Sequence, residues 1–385
     1  MPYATEYIPL KLNDHVKGKV EYEIVQKLGW GAGSSIWLDS IAIYEGKLYE
    51  LDALRALKNS DHPGHVYCIA PIELFAANSM HGAHLCIAFQ LHSLSLQELL
   101  MQASNAGPGF RLSILAVQNI IVLTCLHSLQ FVHTGNTIFP SHNIQMLSYS
   151  DIKASNIFIA NIGEGRMIDK FVKAYPSQTY TPHYAMELSP DPIIMVVSQP
   201  LPPFECLTLN ELQVWLADFG EAIHIDKMSE RPLVMPVILQ APKIILGHPW
   251  GYAADIWAVS CMTMELLVTG PIFQLDTLPN IGLNEVHLAC IIELLGQFDP
   301  TFLSKCSKRN AYFDETGQLL KTLNFEDGSI SASGSLAHCL LTSIFEGQDL
   351  GSANDFLKCC LTLDPSLRPS AKELLEDPWL VSRQV

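Results

Sequence analysis

Charged side chains are scarce in this 385-residue chain, at 16% of positions against 49% hydrophobic. That balance is too apolar for a disordered polypeptide. Long apolar runs are missing as well: none approaches the roughly 18 to 20 residues of a membrane span, so a soluble protein is expected. The opening stretch MPYATEYIPLKLNDHVKGKV has no basic cluster followed by an apolar block, so it does not read as a secretory signal. A home in cytoplasm and nucleus is the expectation. The ten cysteines include no C-x-x-C pair, and the adjacent Cys359 and Cys360 sit in the helical pattern DFLKCCLTL, which reads as reduced core thiols. Fourteen histidines show neither H-E-x-x-H nor Cys/His ligand spacing, so no zinc site is expected. Basic residues are in short supply too, 23 against 39 acidic. The resulting charge of −16 argues against direct nucleic-acid binding and permits attraction to basic peptides.

What is present reads as two units. From Tyr22 to Leu38 the pattern YEIVQKLGWGAGSSIWL predicts strand, Gly-rich turn and strand, because β-branched and aromatic residues flank a cluster of small ones. A helical pattern over Leu48–Leu57 and strand-like runs over Val66–Phe75 and His84–Leu91 complete a small β-rich unit, residues 1–91. Beyond it, residues 92–385 turn mainly helical. Apolar spacing predicts helices over Leu96–Gln102, Ser113–Val132, Asp255–Thr269, Asn284–Leu295, Asn354–Leu361 and Ala371–Glu376. Residues 134–149 and 161–210, rich in Pro, Ser, Thr and Asn, read as loops or insertions.

Three motifs that could carry chemistry occur in one order. The first is the turn Gly29-Trp30-Gly31-Ala32-Gly33-Ser34, whose backbone can approach phosphates. The second is D-I-K-A-S-N, Asp151 to Asn156, which brings a carboxylate, an ammonium and a carboxamide into one loop. The third is A-D-F-G, Ala217 to Gly220, placing Asp218 just past the strand-like Val214-Trp215-Leu216, where a divalent cation can bind. Phosphoryl transfer needs these types, since it must neutralise phosphate charge and align an attacking hydroxyl. Asn156 and Asp218 can hold Mg²⁺, Lys153 can neutralise the transferring group, and Asp151 can orient the substrate hydroxyl. No G-x-S-x-G occurs, and the Gly-rich turn leads into a strand rather than a helix, against a Rossmann site.

In these motifs the chain resembles the eukaryotic protein kinases, and within them the SR-protein kinase branch of fungal type. The branch likeness rests on L-G-W-G with Ser34 in place of a third glycine, on D-I-K-A-S-N, and on the step of 67 positions from Asp151 to Asp218. It also rests on A-P-K at Ala241–Lys243, D-I-W at Asp255–Trp257, H-L-A-C-I-I-E-L-L-G at His287–Gly296 and L-D-P-S-L-R-P-S ending near Pro369. The resemblance implies an α+β, two-lobed fold with a small β-rich lobe and a larger, mainly helical one. It implies a Ser/Thr protein kinase using ATP and Mg²⁺ on Arg/Ser-rich, splicing-type proteins, as a monomer without membrane or direct nucleic-acid partners. Phe89–His92 would be the hinge, with Phe89 as gatekeeper and Gln90 and His92 beside the nucleotide. Docking acids for a basic substrate would come from Glu293, Asp299, Asp314, Glu315, Glu326 and Asp327.

Three departures accompany the likeness. The family pairs a strand lysine in V-A-[IL]-K with a helix glutamate, here Glu50, yet no such lysine exists. Only 12 residues separate Trp37 from Glu50, which predicts an incomplete small lobe short of one strand. Lys27 and Lys47 are the lysines near enough to reach phosphates from another direction. At the catalytic loop Tyr149-Ser150 precedes Asp151 after an extra stretch, so the usual arginine that receives an activation-loop phosphate is absent. Finally A-P-E ends in Lys243, which sets a like charge against Arg368 and should destabilise the large lobe unless the lysine swings to solvent. A catalytically inactive scaffold, or a gene model lacking part of an active kinase, is the alternative these departures raise.

Overall fold

The computed structural model describes residues 8–31, 34–38, 42–45, 50–79, 82–103, 113–133, 154–160, 165–184, 192–199, 201, 214–219, 222–230, 240–268, 272, 273, 275, 278, 280–321, 335–341 and 348–382. The chain opens with an antiparallel hairpin, β1 (His15–Lys17) and β2 (Glu21–Glu23). Next come β3 (Gln26–Gly31), β4 (Ser34–Leu38), β5 (Ala42–Glu45), helix α1 (Glu50–Lys58), β6 (Pro71–Ser79) and β7 (Gly82–Phe89). The five strands β3 to β7 form one antiparallel sheet in the order β3-β4-β5-β7-β6.

This sheet corrects the expected gap in the small lobe. The strand that seemed to be missing is β5, which lies between β4 and β7 with Tyr44 in register with both Ile36 and Ile87. Four residues suffice because each strand residue advances about 3.3 Å, and the neighbouring β4 is itself only five residues long. The strand carries Ala-Ile-Tyr-Glu, so the lysine alone is absent. The strand expected from Val66 starts instead at Pro71. Val66 and Tyr67 end a 3₁₀ turn, Pro63–Tyr67, capped by His62 Nδ1 accepting from the Gly64 N–H at 3.0 Å.

The two faces of the sheet are covered differently. Ile8, Val16, Tyr22 and Ile24 from the N-terminal segment pack with Trp37, Cys86 and Ala88 on the outer face. Buried Glu73 pins this segment, accepting from Tyr22 Oη at 2.8 Å and from the Lys19 N–H at 2.6 Å. The inner face, with Ile87, joins Ala53, Leu54 and Leu57 of α1 in the main core.

The large lobe begins with β8 (His92–Ser95), α2 (Leu96–Ala103), α3 (Ser113–Ser128) and β9 (Phe131–Val132). The predicted helix to Val132 stops at Ser128, where Gln130 takes a positive φ of 62° and turns the chain into β9. After β10 (Ile157–Ala160) comes α4 (Gly165–Ala174), then β11 (Val214–Leu216), β12 (Ile223–His224) and α5 (Pro242–Ile245). The rest is α6 (Ala253–Val268), α7 (Leu283–Leu295), α8 (Pro300–Ser304), α9 (Arg309–Tyr312), α10 (Leu336–Leu341), α11 (Gln348–Cys360), α12 (Ala371–Leu374) and α13 (Pro378–Val381). Helix α6 is apolar all round and almost wholly buried, so it forms the axis of this lobe. Its neighbours stop and start on side-chain caps. Ser370 and Glu373 make a capping box for α12, and Asp377 caps α13.

The 161–210 stretch, expected to be loop, contains a helix and a paired segment. In α4 the residues Ile168, Phe171 and Val172 form an apolar stripe at helical spacing. Backbone bridges join Thr179 to Val196 and His183 to Ile193. The 134–149 stretch lies outside the described residues. Nine of the ten cysteines are described, seven of them buried, and no disulfide joins any two of these nine. Among the described residues no helix is long and apolar enough to cross a membrane.

Candidate nucleotide and metal site

The floor of the cleft between the lobes is the antiparallel sheet β11-β10-β8. Strand β8 leaves the hinge, and His92 at its start is in register with Ala160 at the end of β10. The other end of β10 meets Asn156, and β11, paired Ile157 to Leu216, delivers Asp218 beside it. The four residues of β10 thus set His92 and Asn156 about 13 Å apart along this floor. On this floor the His92 and Phe158 rings lie 3.9 Å apart between centroids. Gln90 is exposed at the hinge and Leu91 is buried.

The two residues assigned to metal come together. Asn156, buried, donates from Nδ2 to Asp218 Oδ2 at 3.2 Å, and the Ala217 N–H donates to the Asn156 carbonyl at 2.8 Å. Asp218 takes φ 60°, a left-handed conformation that aspartate tolerates better than most residues. The turn exposes its carboxylate while the next side chain, Phe219, is 1% exposed. A carboxylate and a carboxamide are hard oxygen donors of the kind Mg²⁺ takes, so the pair fits that ion.

Sequence reasoning missed His133, which supports this turn. Its ring packs edge-on against Phe219 at 5.1 Å, and its backbone N–H donates to buried Asp255 Oδ2 at 3.0 Å. The same carboxylate oxygen lies 3.1 Å from His127 Nε2. Burial holds the His133 imidazole below its usual pKa, against the pull of Asp255 and Asp218. A histidine three residues past a helix-ending turn was the available signal, but the long stretch before Asp151 hid its link to the catalytic loop. Asp151 and Lys153 lie outside the described residues.

The roof is the β3–β4 hairpin. Gly29 faces open space, with nothing within 4 Å of where a Cβ would sit, so its backbone is approachable. Trp30 and Gly31 pair with Ser35 and Ser34 in the hairpin ladder, while Ala32 and Gly33 lie outside the described residues. Lys27 does not point at the cleft: its Nζ stands 5.5 Å from the ring centre of Trp37, on the outer face, where burial lowers its pKa. Lys47 lies outside the described residues, and Glu50 opens α1. An ion pair of 2.9 Å joins Asp52 of α1 to Lys227, in the segment after β12.

Two of the acids assigned to docking have structural work. Asp299 caps α8, accepting from the Thr301 N–H at 2.7 Å, and Asp314 closes a turn, accepting from the Gln318 N–H at 2.9 Å. Glu326 and Asp327 lie outside the described residues.

Lys243 does not swing to solvent but stays inside, 2% exposed, which is the destabilising branch of the expectation. Burial and then the nearby Arg368 hold its pKa down to about 7, with Asp255 pulling the other way. Arg368 replaces a carboxylate partner with carbonyls, donating to Thr362 O at 2.7 Å and Ala253 O at 2.8 Å while stacking 4.9 Å over Trp257.

Comparison with known proteins agrees with this architecture. The family model described as the protein kinase domain matches residues 205–380. The chain is 24% identical over 404 residues to a serine/threonine-protein kinase SRPK of Physarum polycephalum, covering 97% of this chain and 88% of that one. It is 25% identical over 386 residues to human dual specificity tyrosine-phosphorylation-regulated kinase 4, covering 96% of this chain but 59% of that protein. The serine/threonine-protein kinase SKY1 of Saccharomyces cerevisiae is 31% identical over 178 residues, 44% of this chain and 22% of that protein. Residues 205–380 thus match the protein kinase domain, and the chain as a whole is similar to serine/threonine-protein kinases, SRPK-like ones among them.

Proposed function

We propose that the chain is an ATP-dependent protein serine/threonine kinase acting on basic, Arg/Ser-rich proteins, and that it transfers phosphate slowly. The observation that carries this reading is the Asn156–Asp218 pair, 3.2 Å apart, at the far end of a four-residue strand from the hinge. Mg²⁺ held there by Asp218 and Asn156 would neutralise phosphate charge. The residues on this chain then divide the remaining work. The Gly29–Ser34 backbone covers the phosphates, Gln90 and His92 border the base, Asp151 orients the substrate hydroxyl, and Lys153 offsets charge on the transferring group. The slow rate follows from β5, whose Ala-Ile-Tyr-Glu gives Glu50 no lysine to hold. One lost charge contact of this kind costs about 10²- to 10³-fold in rate.

That same absence supports a second reading, a kinase-like scaffold that binds partners without transfer. Under either reading we place the lobe boundary at residues 91 and 92, the protein in cytoplasm and nucleus, and the chain as a monomer. The test is phosphate transfer from labelled ATP to an Arg/Ser peptide by the purified chain. Slow transfer that Asp151→Asn abolishes supports the kinase, whereas labelling of the peptide no faster than in buffer leaves the scaffold.

A further inference from the structure

The insertion between β10 and β11 is tied to the small lobe at its glycine-rich end. Ser177 Oγ donates to Val25 O at 2.6 Å, the Gln199 N–H donates to Lys27 O at 2.8 Å, and Gln26 Nε2 donates to Gln199 O at 3.4 Å. These bonds run along β3, the edge strand of the sheet. Phe171 of α4 and Leu201, 6% and 7% exposed, form with the hinge residue Leu91 a separate apolar cluster. Val25, Leu28 and Ile36 of the small lobe pack against it, as do Ile168 and Val172 of α4.

The register settles which face of the roof this cluster touches. Ile36 is in register with Tyr44 and Tyr44 with Ile87, so Ile36 shares the face of Ile87, which belongs to the inner core with α1. Trp37, one residue on, belongs to the outer cluster, as the alternation of a strand requires. The apolar stripe of α4 therefore lies on the cleft side of the glycine-rich hairpin, against the hinge, where a nucleotide base would enter.

We propose that α4 and Leu201, anchored by the segment 192–199 along the β3 edge, form a strap across the entrance of the nucleotide cleft, which lifts each time nucleotide enters or leaves. The inference rests on the reading of the cleft as a nucleotide site. Among the described residues the strap is held by the small cluster of Phe171 and Leu201 with Leu91, by Val196 in the outer-face cluster and by these three hydrogen bonds, a far smaller set than the core of the large lobe, so it opens more readily than that lobe unfolds. A gate of this kind makes association limited by opening rather than by collision.

The experiment is stopped-flow binding of a fluorescent N-methylanthraniloyl ATP, with Mg²⁺, to the full chain and to Phe171→Asp. Phe171→Ala serves as a second variant that removes the ring without adding charge. The wild-type rate should level off as nucleotide concentration rises. Both variants should remain linear over that range and exceed the wild-type plateau by about tenfold. Binding to the variants alone would also support the strap. Equal, linear concentration dependence in all three chains would overturn the strap and leave the nucleotide reading intact, and absence of binding in all three would overturn both.

Discussion

Lys243 shows how one side chain sets a pH dependence for the whole lobe. In the unfolded chain a lysine titrates near 10.5, and in the fold burial beside Arg368 brings Lys243 down to about 7. Between those values the unfolded state holds a proton that the folded state lacks, so stability rises with pH across that window. Below about pH 7 both states are charged and the full cost of burying the ammonium is present. That cost is on the order of 4 kcal/mol. We expect Lys243→Met to raise the unfolding free energy most at pH 6 to 7, by roughly 2 to 4 kcal/mol, with the gain fading toward pH 10. Denaturant unfolding of both chains across pH measures this. A gain that grows with pH would show that Lys243 is charged in the fold.

At the scale of elements, β5 and α4 mark what the sequence left hidden, and why. The helices of the large lobe were legible because α3, α6 and α7 carry long apolar patterns that no turn residue interrupts. Asp218 was legible too, since an apolar strand ending in an aspartate is a local signal. Strand β5 was not, because four residues are too short for a periodicity and its identity comes from pairing with β4 and β7. Helix α4 was masked by the proline-rich stretch that follows it, although its apolar residues have helical spacing. His133 needed the third dimension, since Phe219 and Asp255, which fix it, are distant in sequence.

The β5 register also converts the absent lysine into a specific substitution. Tyr44 is in register with Ile36 and Ile87 at the middle of the sheet, and the helix beyond it begins at Glu50. We expect Tyr44→Lys to speed phosphate transfer to an Arg/Ser peptide by about 10- to 100-fold, through better alignment of the phosphates. Steady-state kinetics with both chains checks it. Unchanged turnover would mean that the missing cation does not limit the rate.

Over the whole molecule, the charge of −16 sets how a substrate arrives. A basic peptide is attracted at long range, and that attraction is screened over about 8 Å at physiological salt. We expect the association rate of an Arg/Ser peptide to fall about tenfold or more between 20 and 300 mM NaCl, while an uncharged peptide of equal length shows little change. Equal salt dependence of the two would remove electrostatic recognition from the account. Capping by Asp299 and turn closure by Asp314 leave their carboxylates already hydrogen-bonded, so neutralising those two should cost local stability more than peptide binding.

The central claim is that Asn156 and Asp218 form a Mg²⁺ site for a bound nucleotide, and calorimetric titration with ATP in the presence of Mg²⁺ tests it most directly. The wild-type chain should bind, and Asp218→Ala should weaken binding by about tenfold or more when Mg²⁺ is present, with little difference between the chains when it is chelated. Equal affinity of the two chains for Mg²⁺-ATP would contradict the account.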